Sequence, residues 1–154
     1  MPWIQHYSRS DVLRGIHFWD EKTALIQIKD IMQEHVKPAL SFTDVLQLEF
    51  EDIEEDPDEI GIRPEHADQI VSFLRMCKEQ NKNIVVHCHA GICRSSAVAM
   101  VAQKMGFDLD YKVRFPNKLV MHRLFVAAGM QDDSEPIKKK FLGNFLYDPD
   151  FVWN

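Results

Sequence analysis

The chain has 154 residues, with 18 basic and 24 acidic side chains, a formal charge of −6, and 45% hydrophobic and 27% charged residues. This is enough apolar material for one globular domain with its own core, so neither disorder nor a fold that depends on disulfides or metals is expected. The acidic balance argues against generic binding to nucleic acid or to anionic membranes.

The three cysteines, Cys77, Cys88 and Cys93, are odd in number and at no zinc-finger spacing, which fits thiols kept reduced in the cytoplasm. Met1 to His6 shows no basic segment followed by an apolar run, and no stretch approaches the roughly 20 apolar residues of a membrane helix. We therefore expect a single domain over residues 1–154, with the tail at 137–154 packing on it.

Taken in chain order, Trp3–Tyr7, Ala24–Ile28 and Val45–Phe50 are partly alternating apolar runs that predict strands. Glu49 to Glu59 follows the third run and carries eight carboxylates. Such a charge run is ordinarily a solvated loop, but here it leaves the end of a predicted strand. Pro64 suits a first helical turn, and Ala67, Ile70, Phe73, Leu74 and Cys77 recur at helical spacing up to Asn81-Lys82-Asn83. Cys77 therefore faces the core. Ile84-Val85-Val86 is continuously apolar, as a central strand covered on both faces would be. Helices are predicted from Arg94 to Met105 and from Asn117 to Gly129, each closed by a glycine. The tail joins Lys138-Lys139-Lys140 to Ile137, Phe141, Leu142, Phe145 and Leu146 at near-helical spacing. The alternation of strand and helix predicts an α/β fold, a mainly parallel central sheet flanked by helices, with its ligand site at the carboxyl ends of the strands.

The loop between the buried strand and its helix reads His87-Cys88-His89-Ala90-Gly91-Ile92-Cys93-Arg94-Ser95-Ser96. A strand, a compact glycine-containing turn and a helix N-terminus aim backbone N–H groups at one point, which makes an anion cradle. A thiol set in such a cradle beside an arginine favours its thiolate. The Arg94 fork can hold two oxygens of a phosphate while the third meets the N–H groups, which lysine cannot reproduce. The Cys-x5-Arg spacing lets the loop wrap once around a tetrahedral oxyanion, with sulfur behind phosphorus.

His87-Cys88-x5-Arg94-Ser95 with Gly91 in the middle resembles the signature of the cysteine-dependent protein tyrosine phosphatases, particularly the small dual-specificity type. Phe115-Pro116-Asn117 resembles the Pro-Asn segment after the signature helix of those enzymes, although helix capping by Asn117 would explain it equally well. The stretch from about Ala24 to Gly129 also resembles small phosphatase-like proteins of bacteria and phages.

The resemblance implies a phosphatase-like domain and phosphomonoester hydrolysis without a cofactor or metal, on a phosphorylated protein or a small phosphomonoester. Cys88 would attack phosphorus and form a phosphocysteine, and Arg94 would bind substrate and transition state. Ser95 would help the thiolate leave, and His87 would orient the loop. His89, Ala90, Gly91, Ile92 and Cys93 would line the substrate, with Asn117 in support. The family's general acid is an aspartic acid upstream of the signature, and Asp52, Asp56 and Asp58 are candidates. Asp52 is preferred, because its place at a strand end is fixed by the sheet whereas loop length varies freely. A crowd of carboxylates favours the protonated form of any one of them and predicts substrates with basic flanks. Cys93, five positions after the nucleophile, resembles the second loop cysteine of low-molecular-weight tyrosine phosphatases, which implies a disulfide with an oxidised Cys88. A phosphate-binding module without turnover and a thiol redox or arsenate reductase-like enzyme are the competing readings.

Overall fold

The computed structural model describes residues 1–15, 22–38, 40–110 and 115–131. The predicted tail at 137–154 lies outside the described residues. In chain order the elements are β1 (Ile4–Ser8), α1 (Arg9–Arg14), β2 (Thr23–Lys29), β3 (Val45–Glu49), α2 (Pro64–Glu79), β4 (Asn83–Cys88), α3 (Arg94–Lys104) and α4 (Lys118–Ala128). The described strands form one sheet in the order β1-β4-β2-β3, and every pairing is parallel.

The continuous Ile84-Val85-Val86 run explains the centre of the sheet. Strand β4 lies between β1 and β2, and its Ile84, Val85 and Val86 are fully buried because both faces are covered. Ile84, Val86 and Cys88 alternate onto the face that shares the main core with Ala67, Ile70 and Leu74 of α2, Val98 and Val101 of α3, and Leu124 and Phe125 of α4. Val85 turns to the other face and packs with Leu25 of β2 and Val12 of α1, beside Leu40 and Phe42. Cys77 is completely buried on α2, as its spacing predicts.

The helix boundaries follow local chemistry. Pro64 opens α2, and the Asn117 side chain caps α4, which ends at Gly129 in a left-handed C-cap. Helix α1, six residues long, is an addition to the predicted elements. It is marked by a capping box in which Ser8 and Asp11 serve each other's end, and Gly15 closes it. Register then sets the site. Ser8 pairs with Cys88, Gln27 with His87 and Lys29 with Glu49. The carboxyl ends of all four strands thus finish at one edge, and Arg9, Asp30, Phe50 and His89 leave from it.

Candidate active site

Cys88 is the last residue of β4 and Arg94 the first of α3, so the six-residue step between them is the loop itself. Gly91 lets the loop turn. Its φ is +74°, and a Cβ there would stand 2.5 Å from the Tyr7 carbonyl carbon and 2.6 Å from Ser8 N, a fit only glycine allows. The loop carbonyls are tied back by neighbouring elements: His89 O accepts from Arg9 N at 3.0 Å, and Cys93 O from Ala97 N at 3.1 Å and Asn117 N at 2.9 Å. Gly91 O meets His6 Nδ1 at 2.9 Å, and the carbonyl requires the ring nitrogen to be the donor. Ser96 Oγ donates to Ile92 O. With the carbonyls of His89, Gly91, Ile92 and Cys93 engaged in this way, the loop is free to turn N–H groups toward an oxyanion.

Cys88 is 2% exposed. Its sulfur accepts from Gly91 N at 3.3 Å and lies 3.2 Å from Ser95 Oγ. Arg94, also nearly buried, donates from Nη1 to Phe50 O at 2.8 Å and pairs through the same nitrogen with Asp30 Oδ1 at 2.6 Å. Arg94 Nε is buried with no hydrogen-bond partner among the described residues. Cys88 and Arg94 open onto one cleft of about 400 Å³, whose walls include Asp30, Glu51, Asp52, His89, Ala90, Ile92 and Cys93. An adjoining groove of about 670 Å³ shares Asp52, Ile53 and Cys93 and adds Glu54, Glu55, Phe115, Pro116 and Asn117.

The three candidate acids separate clearly. Asp52 stands at the cleft, and its Oδ1 accepts from Asn117 Nδ2 at 2.7 Å. Asp56 instead uses both oxygens on its own loop, accepting from Ile60 N at 2.7 Å and Gly61 N at 2.8 Å. Asp58 is exposed and lines neither cavity. The acidic segment is therefore more than a solvated run. Glu49 pairs with Lys29 at 2.6 Å, Glu51 accepts from Ile31 N at 2.7 Å, and Glu54 accepts from Lys118 N at 2.7 Å at the start of α4.

Asn117 does both jobs the sequence left open. Its Oδ1 accepts from Val120 N at 2.9 Å as the cap of α4. Its Nδ2 holds Asp52 and also donates to Ile53 O at 3.1 Å.

His87 points to the face opposite Cys88, with Nδ1 3.4 Å from Cys88 O. Burial pushes its pKa down to about 4, so the ring is neutral at neutral pH. Burial raises the Cys93 thiol to about 11, helped by the charge of Asp52 and a hydrogen bond to it. Burial, with the charge of Asp44 adding to it, lifts Cys77 to about 12, which makes it an inert core thiol. Asp30 is the site residue that sequence reasoning missed. Its only signal was an acidic residue directly after the second strand, on the edge where the loop lies.

Sheet, loop and buried arginine together make an anion-binding cleft at one sheet edge, and comparison with known proteins bears on the same segment. The protein-tyrosine phosphatase family model matches residues 59–108, which run from before α2 through the loop and α3. A mouse (Mus musculus) protein, dual specificity protein phosphatase 12, is 33% identical over 52 residues, and the match spans 31% of this chain and 15% of that relative. The human tyrosine phosphatase-like serine/threonine/tyrosine-interacting protein shares the fold at 18% identity and a TM-score of 0.56, over 84% of this chain and 93% of its own. A tyrosine phosphatase from the Orf virus aligns at 22% identity and a TM-score of 0.45, over 82% of this chain and 59% of that one. The match to the protein-tyrosine phosphatase family thus covers the segment that carries the cysteine loop, and the chain spans about 15% of the length of the curated relative it matches. No helix among the described residues is long and apolar enough to cross a membrane.

Proposed function

We propose that this chain hydrolyses phosphomonoesters on proteins, as a tyrosine or dual-specificity phosphatase working through a phosphocysteine. One observation carries the reading: Cys88, Arg94 and Asp52 share the walls of one cleft. In this mechanism Arg94 and the loop N–H groups bind the phosphoryl oxygens, and the Cys88 thiolate attacks phosphorus in line with the leaving oxygen. Asp52 gives its proton to that oxygen as the ester bond breaks. Water then attacks the phosphocysteine, Asp52 takes back a proton, and Ser95 Oγ, within reach of the sulfur, stabilises the departing thiolate. His87 supports the loop from below, and Asn117 keeps Asp52 at the cleft.

The adjoining groove supports a substrate class. Asp52, Glu54 and Glu55 lie beside Phe115 and Pro116, a surface suited to a phosphopeptide with a basic and an apolar flank. Cys93 is the proposed resolving thiol, closing a disulfide on Cys88 once peroxide has converted that thiolate to a sulfenic acid, with loss of water. A nucleophilic thiol needs reducing surroundings, which fits the cytoplasm.

The test uses the purified chain on para-nitrophenyl phosphate, on an alkyl phosphate, and on phosphotyrosine peptides with basic or acidic flanks. Wild type should turn over, and Cys88→Ser should bind vanadate without turnover. Asp52→Asn should lose far more rate on the alkyl ester than on the activated aryl ester, because only the poor leaving group needs the proton. Vanadate binding without turnover by wild type would establish a binding module instead. Equal rates on both peptides would remove the basic-flank preference.

A further inference from the structure

Asp30 lies one residue beyond β2, on the wall of the cleft, and no step of the mechanism above uses it. We propose that Asp30 is a positioning residue, holding the Arg94 guanidinium by one nitrogen so that the rest of the fork meets the oxyanion. The inference rests on the phosphatase reading for its kinetic readout alone.

Among the described residues both protein contacts of Arg94 fall on Nη1, to Phe50 O and to Asp30 Oδ1, while Nε is buried and unpartnered there. An arginine clamped at one corner presents its remaining donors in a fixed plane. One without the clamp would have to be ordered by each arriving ligand, at a cost in side-chain entropy.

Asp30 is itself fixed. Its N–H donates to Gln33 Oε1 at 3.3 Å, and its carbonyl accepts from Gln33 N at 3.0 Å. Lys29 Nζ donates to Gln33 O at 2.7 Å, which closes the turn over residues 30–33 from the strand side.

The same turn is fastened to both loops of the cleft. Gln33 Nε2 lies 3.1 Å from His89 Nδ1 on the cysteine loop, and Ile31 N donates to Glu51 next to Asp52. Asp30 thereby sets Arg94 relative to the nucleophile on one side and the acid loop on the other. Its side chain is 34% exposed, so water moderates its repulsion of an incoming phosphate.

The full chain carrying Asp30→Asn, nearly isosteric but uncharged, tests this. Vanadate affinity and kcat/KM for para-nitrophenyl phosphate should each fall about tenfold, the scale of one charge-assisted hydrogen bond. Asp30→Glu, which keeps the charge, should recover most of that loss. In an Arg94→Lys background Asp30→Asn should change either quantity less than about twofold, because Asp30 acts only through the guanidinium; a general structural role would persist there.

Wild-type vanadate affinity in Asp30→Asn, or the same fold loss with and without Arg94, overturns the proposal. A chain that binds vanadate but never turns over would sink the phosphatase reading, and the vanadate series would still decide the role of Asp30. Should Asp30→Asn fail to fold, Gln33→Ala loosens the same turn without touching Arg94. It must then weaken vanadate binding, and wild-type affinity there counts against the proposal.

Discussion

His87 offers the sharpest stability test, because burial and titration meet in one side chain. It is 2% exposed, with Nε2 unpartnered among the described residues, and burial takes its pKa from 6.5 to about 4. In the unfolded chain the ring titrates near 6.5. Above that pH it is neutral in both states and adds no pH dependence. As pH falls from 6.5 through 4 the unfolded chain takes up the proton first, so stability is lost on acidification. The full window is worth about 3 kcal/mol, and about 2 kcal/mol of it is gone by pH 5, before most carboxylates titrate.

His35 and His66 are also pushed down by burial and move wild type the same way, so the comparison must be with a single variant. Urea unfolding followed by tryptophan fluorescence at pH 7.5 and pH 5.0 should show wild type losing about 2 kcal/mol more than His87→Gln. Parallel losses in the two proteins would refute the argument, for the proton uptake would then belong to other groups.

Gly91→Ala should cost about 2 kcal/mol or more in melting experiments and abolish turnover, since it combines a φ of +74° with a Cβ 2.5 Å from the Tyr7 carbonyl carbon; a wild-type melting point with full activity would contradict the loop geometry. Asn117→Ser should keep the α4 cap within about 0.5 kcal/mol but release Asp52, so alkyl phosphate turnover should drop while the melting temperature barely moves. Activity loss and melting falling together would show that capping alone matters. The Cys93 thiol, raised to about 11 with Asp52 among the causes, should trap oxidised Cys88 slowly at neutral pH and faster as pH rises. Asp52→Asn should accelerate the disulfide as read by mass spectrometry, and an unchanged rate would detach Cys93 from Asp52.

Local order fixed much of this protein. The uninterrupted Ile84-Val85-Val86 run pointed to a strand covered on both faces, and it stands inside the sheet between β1 and β2. The spacing of Ala67, Ile70, Leu74 and Cys77 set the buried face of α2, and Cys88, Gly91, Arg94 and Ser95 carried the geometry of the loop in their order alone. These features were legible because each depends on residues a few positions apart, through the periodicity of strand and helix or the reach of one turn. Helix α1 was not among the predicted elements, because a six-residue helix gives periodicity little to work with and only Ser8, Asp11 and Gly15 mark its ends.

The tertiary structure decided the rest. Asp52, Asp56 and Asp58 are chemically alike and close in sequence, and only the fold shows Asn117, 65 positions on, holding the first while the second caps its own loop. Asp30 meets Arg94 because parallel strands β2 and β4 end in register. That juxtaposition is set by strand pairing, and it leaves no mark on the sequence around either residue.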